Sequence, residues 1–328
     1  MAELTPSALV AVPPAVRARL FPDGGARLAR LLRVTYAPEL PENPCDAEVL
    51  VTSWGVPQLT AARLDRLPRL RLIAHIGASV KPFVTGEVFA RGIAVTQAGA
   101  AMARPVAEVA LAFTLALLHR VHRYDHALRS AVPWAEAEQA PPRHEIAGTP
   151  IGVVGASRTG RAYLELVRLL GAEVAVYDPF LDDEEAARLG VTSTDLDTLL
   201  AGSRIVALHA PSLPGTRHLI GARELARLPD GAGLVNTARS WLVDEAALLT
   251  ELRTGRIDAA LDVYDAEPLP VAHPLRSLPN VLLTPHQAAG TVEGRVRQGD
   301  IVADEIARHV AGEPLMHAVG PQDLARMG

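Results

Sequence analysis

Short apolar runs that end at glycine or polar residues recur along this chain of 328 residues, with amphipathic segments between them. Three such runs lie within the first hundred residues: Glu48–Gly55, Leu70–Gly77 and Gly92–Gly99. Strands that alternate with helices predict a parallel sheet covered on both faces, which limits the fold to the α/β class. Because ligands of such sheets bind beyond the carboxyl ends of the strands, we expect Trp54, residues 75–79 and residues 98–100 near one edge.

A second series of apolar runs predicts about six more strands: 150–155, 173–178, 204–209, 233–237, 259–263 and 280–284. Six strands with helices between them match a dinucleotide-binding fold. Between the two series, residues 105–123 are apolar almost all round, which predicts a long helix buried on several sides. Such a helix would bridge two domains or form a dimer interface. Residues 130–150 are interpreted as a linker, and a last helix is predicted over 295–311.

The composition excludes several classes of partner. A net charge of −5 without basic runs argues against nucleic acid. The single cysteine, Cys45, excludes an intramolecular disulfide and a cysteine-based metal cage, and we predict no metal site. The N-terminal segment does not resemble a signal peptide, and the longest strongly apolar run, Val109–Leu118, is too short to span a bilayer. We therefore expect a soluble, cytoplasmic protein that does not bind membranes.

The predicted strand 151–154 leads into a glycine-rich loop and then a helix. The loop is Gly155-Ala-Ser157-Arg158-Thr159-Gly160. Its first glycine would make a tight turn, and its last would let the helix pack on the strand. Ser157 stands where the usual G-x-G-x-x-G fingerprint has its middle glycine, so its side chain must point away from a pyrophosphate. The N–H groups of Arg158 and Thr159 would bind the phosphates.

The next predicted strand ends at Asp178, eighteen positions after Gly160. An acid at this place binds ribose hydroxyls and repels a 2′-phosphate, which favours NAD over NADP. The order of strand, loop, helix, strand and acid predicts a dinucleotide site rather than a glycine-bounded surface turn.

Three later segments at predicted strand ends each carry one group suited to hydride chemistry on a carbonyl. Arg239 can grip a carboxylate through two parallel hydrogen bonds. His286 can donate a proton to a ketone oxygen or accept one from a hydroxyl. Glu267 can pair with that histidine, orient its ring and stabilise its protonated form. Each residue alone is commonplace in a loop, so the prediction depends on all three together.

These motifs, in this order, resemble those of the D-isomer-specific 2-hydroxyacid dehydrogenase family from about Leu70 to Ala311. Further matching stretches are Val106–Glu108, Gly148–Gly152, Leu208–Ile220 and Leu242–Glu245. The resemblance implies a Rossmann-type NAD-binding domain, residues 105–291, inserted into a flavodoxin-like parallel α/β substrate domain formed by residues 1–104 and 292–328. It also implies a homodimer built around the long helix, NAD as cofactor, and hydride transfer at C2 of a small 2-hydroxy or 2-oxo acid.

The resemblance also assigns roles to individual residues. It implies that Arg239, Glu267 and His286 are catalytic. Besides the phosphate loop and Asp178, the residues implied to bind the cofactor are His209, Ala210, Pro211, Thr216, Thr237, Ala238, Asp262 and His286. The residues implied to bind the substrate are Trp54, His75, Gly77, Ala78, Ser79 and Arg239. In this scheme the backbone N–H groups of Ala78 and Ser79 hold the substrate carboxylate.

The substrate domain departs from the family pattern. The family often reads G-x-G-x-D-x-x-D, whereas this chain reads Gly77-Ala-Ser-Val-Lys81-Pro-Phe-Val, so both acids are absent. Lys81, the one lysine of the chain, is interpreted as a solvated surface charge. The alternative is that Lys81 binds a second anionic group of the substrate, together with His75 or Arg104. Smaller departures are Ser157, Ser240 and Ala289, which each stand where the family has glycine.

Two other functions of the superfamily remain open at this point. Phosphite dehydrogenases keep the catalytic trio, although their substrate-loop lysine does not align with Lys81. Formate dehydrogenases carry glutamine where Glu267 stands and are disfavoured. NAD-sensing transcriptional corepressors can retain the trio as well, although the lack of basic patches argues against them. Turnover of 2-oxo acids would separate an enzyme from a sensor.

Overall fold

The computed structural model describes residues 5–324 and 327, which divide into two compact units. One unit comprises the described residues up to Met102 and from Gly290 onward, and the other comprises Ala103–Ala289. Each unit is built on a parallel sheet with helices between its strands. The predicted α/β fold class is therefore confirmed.

The first unit contains a five-stranded sheet, and its elements are numbered here along the whole chain. The strands are β1 (Ser7–Ala11), β2 (Arg33–Ala37), β3 (Val49–Thr52), β4 (Leu72–His75) and β5 (Ala94–Gln97). The helices are α1 (Pro14–Leu20), α2 (Ala26–Leu31), α3 (Ala61–Leu64), α4 (Gly86–Ala90), α13 (Val292–Val310) and α14 (Pro321–Leu324). The strand order β2-β1-β3-β4-β5, with all pairs parallel, is the flavodoxin-like order.

Both faces of this sheet are buried, because alternate side chains of each strand point to opposite faces. Val51 packs with Ile306 of α13 in one apolar cluster, whereas Leu50 packs with Val88 of α4 in another. A Cβ at Gly299 would lie 2.1 Å from the carbonyl oxygen of Leu20, so glycine at this position lets α13 approach α1 closely. This packing fixes α13 against the sheet.

The second unit contains a seven-stranded sheet. Its strands are β6 (Pro150–Val154), β7 (Glu173–Tyr177), β8 (Thr192–Ser193), β9 (Ile205–Leu208), β10 (Gly233–Asn236), β11 (Asp258–Leu261) and β12 (Val281–Leu283). Its helices are α5 (Ala103–Leu118), α6 (Val121–Arg129), α7 (Trp134–Ala137), α8 (Arg158–Leu169), α9 (Asp183–Leu189), α10 (Leu196–Gly202), α11 (Ala222–Leu225) and α12 (Glu245–Arg253). The order β12-β11-β10-β9-β6-β7-β8 reverses at β6 and β9, as in a Rossmann fold.

The long helix predicted over residues 105–123 is interrupted in the structure. Arg120, with a φ of 56°, separates α5 from α6. Its buried side chain donates hydrogen bonds to the Asp258 carboxylate, at 2.6 Å, and to the Gly231 carbonyl, at 2.8 Å. Arg123 binds the same carboxylate, with its Nε 3.0 Å from Oδ1. We attribute the break to this pairing, because a fully buried carboxylate at the start of β11 needs cationic partners.

One helical segment of the chain is long and apolar. Residues Gly99–Leu118 span 20 residues with a mean hydropathy of 1.6, and by length and composition alone they could cross a membrane. The core helix of a globular protein passes the same test. Here Ala107, Ala110, Phe113 and Leu117 are buried in one cluster with residues of β6 and α8. Within the described part of the chain, α5 is thus the core helix of its unit.

Candidate functional site

The two glycines of the glycine-rich loop bring the N-terminus of α8 close to the ends of β6 and β9. Gly155 has a φ of 97°, and a Cβ there would lie 2.6 Å from the backbone nitrogen of Ala210. A Cβ at Gly160 would lie 2.2 Å from the carbonyl oxygen of Gly155. No side chain fits at either place, so both positions require glycine.

Ser157, at the middle position of the fingerprint, is the N-cap of α8. Its Oγ accepts a hydrogen bond from the N–H of Gly160 at 3.2 Å, so the side chain folds back onto the helix. The N–H groups of Arg158 and Thr159 donate to no acceptor within the described chain. Free N–H groups at a helix N-terminus bind phosphate, so this loop fits the pyrophosphate of a dinucleotide.

Asp178 follows β7 and lies against the same loop. Its Oδ2 accepts a hydrogen bond from the N–H of Ala156 at 2.7 Å, and its Oδ1 accepts one from the N–H of Phe180 at 2.9 Å. Each carboxylate oxygen keeps a lone pair for a further donor. The acid can therefore accept hydrogen bonds from ribose hydroxyls while its backbone contacts hold it in place.

Other residues predicted to bind the cofactor are engaged with the protein itself. His209 is buried and packs on Tyr163 with ring centroids 4.9 Å apart, and burial lowers its pKa to about 3. The hydroxyl of Thr216 donates to the carbonyl of Pro211 at 2.6 Å and accepts from the N–H of Leu213 at 2.9 Å. The contacts of His209 and Thr216 therefore shape the loop that follows β9, where Ala210 and Pro211 lie.

The loop after β10 carries Arg239. The side chain of Asn236 bridges this loop, because it donates to the carbonyl of Arg239 at 2.9 Å and accepts from the N–H of Ala238 at 3.1 Å. The hydroxyl of Thr237 is buried and has no partner among the described residues. Burial lowers the pKa of the Arg239 guanidinium, and the charge of Glu267 opposes that effect. A bound anion would offset the cost of burying this cation.

His286 and Glu267 form the most direct contact in the site. The Nδ1 atom of His286 lies 2.7 Å from Oε2 of Glu267, and Oε1 of Glu267 accepts a hydrogen bond from the N–H of Tyr264 at 3.0 Å. The imidazole is 48% exposed, so a ligand can reach it. A carboxylate at Nδ1 favours a proton on that nitrogen and leaves Nε2 to exchange a proton with a ligand.

Asp262 holds the loop that carries His286. Its buried carboxylate accepts hydrogen bonds from the N–H groups of Gln287, at 2.9 Å, and Ala288, at 3.0 Å, and from the Thr284 hydroxyl. His286 itself has a φ of 52°, a backbone conformation that residues other than glycine rarely adopt. The resemblance implies a cofactor role for Asp262, and the structure adds this positioning contact, which the sequence does not predict.

The substrate residues predicted in the first unit lie at the carboxyl ends of β3 and β4. A Cβ at Gly77 would lie 2.5 Å from Nε2 of His75 and 3.1 Å from Nε1 of Trp54, so glycine is required here. No described residue accepts a hydrogen bond from the N–H groups of Ala78 or Ser79. Two neighbouring free N–H groups form a concavity that suits a carboxylate.

His75 is buried at the end of β4 and carries no charge at neutral pH. Burial lowers its pKa to about 4, and the Thr52 hydroxyl lies 3.0 Å from its Nδ1. Lys81 is exposed, and its Nζ donates to the carbonyl of Met327 at 3.1 Å. Arg104 pairs with Glu108 at 2.6 Å. Of these three residues, His75 is thus uncharged at neutral pH, Arg104 is paired with an acid, and Lys81 is an exposed cation with one hydrogen bond to a carbonyl.

A cation that the sequence did not single out does lie beside Trp54. The guanidinium carbon of Arg295, on α13, is 4.8 Å from the centroid of the Trp54 ring. Sequence spacing carries no signal for this contact, because it joins residues far apart in the chain.

Comparisons with known proteins identify the family of the chain. Residues 111–288 match the family model described as "D-isomer specific 2-hydroxyacid dehydrogenase, NAD binding domain". The chain is 35% identical to a D-3-phosphoglycerate dehydrogenase of Archaeoglobus fulgidus, over 80% of this chain and 49% of that protein. It is 34% identical to a glyoxylate reductase of Thermofilum pendens, over 78% of this chain and 76% of that protein.

A solved structure has a similar fold over nearly the whole chain. The crystal structure of the TT0316 protein from Thermus thermophilus matches with a TM-score of 0.80 and 28% identity, over 96% of this chain and 100% of that one. The chain spans about half the length of the phosphoglycerate dehydrogenases that it matches.

Proposed function

The chain belongs to the D-isomer-specific 2-hydroxyacid dehydrogenase family, and we propose that it is an oxidoreductase that transfers hydride between NAD(H) and C2 of a small 2-hydroxy or 2-oxo acid. Its family and its cofactor, NAD, are those predicted from the sequence. The observation that carries the proposed reaction is the contact of Glu267 with His286. Asp262 holds the loop on which His286 lies.

His286 acts in this proposal as the general acid and base. In reduction its Nε2 protonates the carbonyl oxygen at C2, and in oxidation it accepts the proton of the hydroxyl. Glu267 fixes the ring through Nδ1 and stabilises the imidazolium. NAD(H), when bound, supplies or accepts the hydride. The proton is therefore exchanged between the substrate oxygen and Nε2 of His286.

Arg239 binds the carboxylate of the substrate in the same proposal. Its guanidinium is partly buried, and a carboxylate can accept two parallel hydrogen bonds from it. The free N–H groups of Ala78 and Ser79 suit the same kind of anion, and Trp54, His75 and Gly77 line their loop.

We assign residues 1–104 and 292–328 to the substrate domain and residues 105–291 to the nucleotide domain.

The cofactor is held by backbone groups and one acid. The N–H groups of Arg158 and Thr159 bind the pyrophosphate beside Gly155 and Gly160, and Asp178 binds the ribose. The loop after β9, with Ala210 and Pro211, and the loop residues Thr237 and Ala238 lie at the carboxyl ends of neighbouring strands, where a dinucleotide extends in such folds.

We also propose that the protein is a cytoplasmic homodimer. The apolar side chains of Val121, Leu128 and Trp134 are exposed on or near α6, and exposed apolar groups suit an interface. Light scattering of the purified protein tests the oligomeric state.

The reaction is tested by following NADH oxidation at 340 nm with a panel of 2-oxo acids, with NADPH in parallel and phosphite with NAD as a further substrate. We expect turnover of at least one 2-oxo acid, loss of most of it in His286→Ala with NADH binding retained, and normal turnover in His119→Asn, which changes an exposed histidine. NADH binding without turnover of any acid would contradict the proposal and favour a sensor, and reduction of NAD by phosphite alone would favour a phosphite dehydrogenase.

A further inference from the structure

The face of Trp54 carries an arginine that the proposed reaction does not use. Arg295 lies in the first turn of α13, with its guanidinium carbon 4.8 Å from the Trp54 ring centroid. The indole nitrogen of Trp54 lies 3.1 Å from the position of a Cβ on Gly77. Trp54 thus joins Arg295 to the loop of free N–H groups at Ala78 and Ser79, all within one compact unit.

The guanidinium of Arg295 is held in a defined orientation. Its Nη1 donates a hydrogen bond to Oε1 of Gln298 at 3.2 Å, and Gln298 is fully buried. The indole of Trp54 supports its face by a cation–π contact. A guanidinium fixed on one face and at one nitrogen keeps its other donors available, and such an arrangement suits recognition of an anion.

No acid among the described residues pairs with the guanidinium of Arg295, whereas the partly buried Arg161 and Arg256 pair with Glu185 at 2.7 Å and Glu251 at 2.6 Å. Burial lowers the pKa of Arg295, and the neighbouring charge of Arg19 lowers it further. A half-buried cation beside a second, exposed cation is unfavourable, and a bound anion would offset that cost.

We propose that Arg295 binds a second anionic group of the substrate. The substrate is then a 2-oxo or 2-hydroxy acid with a carboxylate, phosphate or phosphonate at its far end. This inference rests on the proposed function, which supplies the acid bound at the Ala78 and Ser79 loop. Lys81 differs from Arg295, because it is exposed and donates one hydrogen bond to the carbonyl of Met327, whereas Arg295 is half-buried beside Trp54.

The test compares matched substrates that differ in one charge. Oxaloacetate is paired with 2-oxobutanoate, 2-oxoglutarate with 2-oxopentanoate, and phosphonopyruvate extends the series to a phosphonate. We expect the unaltered protein to favour the dianion of a pair by about tenfold or more in kcat/KM, the range of a charge-assisted hydrogen bond. In Arg295→Gln we expect that preference to fall by about 10- to 100-fold, while kcat/KM for the monoanions changes by less than about threefold.

Two further variants separate charge from folding. Arg297→Gln removes an exposed arginine of the same helix and should leave the preference unchanged. Arg295→Lys keeps the charge and should retain part of the preference for dianions. Equal losses for both substrates of a pair, or no loss in Arg295→Gln, would overturn the proposal, as would a preference of the unaltered protein for monoanions.

A binding measurement keeps this inference separate from the reaction itself. Calorimetric titration of D-malate and D-lactate in the presence of NADH measures affinity without turnover. Tighter binding of D-malate that is lost in Arg295→Gln supports the anion site even if no acid is reduced, in which case the proposed function alone has failed. Turnover of monoanions with no effect of Arg295→Gln on D-malate binding shows that the anion site alone has failed.

Discussion

The buried carboxylate of Asp262 lies 3.0 Å from the backbone nitrogen of Ala288 and accepts its hydrogen bond. The same carboxylate binds the N–H of Gln287, so it holds both residues that follow His286. The position of the proposed acid and base is thus set by backbone hydrogen bonds to an acid on another strand end. His286 depends on this support because its own backbone conformation is strained.

Replacement of Asp262 should therefore damage stability and turnover together. In Asp262→Ala the two N–H groups lose a buried acceptor, which costs about 1–3 kcal/mol for each unsatisfied group. We expect a fall of that order in the free energy of unfolding and a larger fall in kcat than in NADH affinity. Denaturant unfolding and stopped-flow NADH binding check this. Thr284→Val, which removes one of the three donors, serves as the milder control.

Glu267→Gln should reduce turnover without loosening the cofactor. The glutamine oxygen can still accept a hydrogen bond from Nδ1 of His286, but its NH2 group cannot accept from the N–H of Tyr264, and the side chain carries no charge to stabilise the imidazolium. We expect kcat to fall about 10- to 100-fold, within the range of general acid–base catalysis. Asp265→Asn changes an exposed acid in the same loop and should leave kcat unchanged. Similar rates in both variants would show that Glu267 has no part in the reaction.

Ser157 should matter for the helix more than for the cofactor. Ser157→Ala removes the cap on the N–H of Gly160 and should lower the free energy of unfolding by about 1 kcal/mol, whereas Ser157→Gly should cost only about a few tenths. NADH affinity should change little in either variant, because the side chain points onto the helix. A large loss of NADH affinity in both variants would show that the hydroxyl binds the cofactor instead.

Asp178 should set the choice between NADH and NADPH. Asp178→Asn removes the negative charge and keeps one oxygen to accept from the N–H of Ala156, although its NH2 group cannot accept from the N–H of Phe180. We expect the ratio of kcat/KM for NADPH over NADH to rise by about tenfold, since the repulsion of a 2′-phosphate is lost. Asp182→Asn, in the loop that follows, provides the matched control. An unchanged ratio would remove Asp178 from cofactor selection.

Two buried histidines should make the protein less stable in mild acid. Burial lowers the pKa of His75 to about 4 and that of His209 to about 3, from 6.5 in the unfolded chain. Below pH 6.5 the unfolded chain gains protons that the folded chain does not. The free energy of unfolding should then fall by up to about 1.4 kcal/mol per pH unit for each histidine, and full stability remains above pH 6.5. Urea unfolding between pH 7.5 and 5 measures the slope, which His209→Gln should flatten.

The sequence predicted the nucleotide unit better than the substrate unit, for a physical reason. Strands such as β6 and β10 are buried on both faces, so their sequences are continuous apolar runs bounded by glycine. β2 is an edge strand with largely exposed side chains, so no apolar run in the sequence marks it. β8 has two residues and carries no pattern at all.

Side-chain contacts between distant segments were the harder part to predict. The type and order of Arg239, Glu267 and His286 are visible in the sequence because their motifs are local. The stacking of Arg295 on Trp54 and the break at Arg120 depend on how separate elements pack, so no local spacing reveals them. The role of Asp262 in holding the His286 loop belongs to the same class of contact.

The short strand β11 has a buried acid at its first residue, Asp258, and another directly after its last, Asp262. The residues between them are two alanines and a leucine, all buried, so their apolar pattern does not distinguish one alignment with β10 and β12 from another. A slip of this strand in either direction would take both carboxylates away from their donors. The pairing register of β11 is therefore specified by the hydrogen-bond donors of its two buried carboxylates. A chain with alanine at both positions should populate shifted pairings, visible as faster hydrogen exchange at Ala259–Leu261.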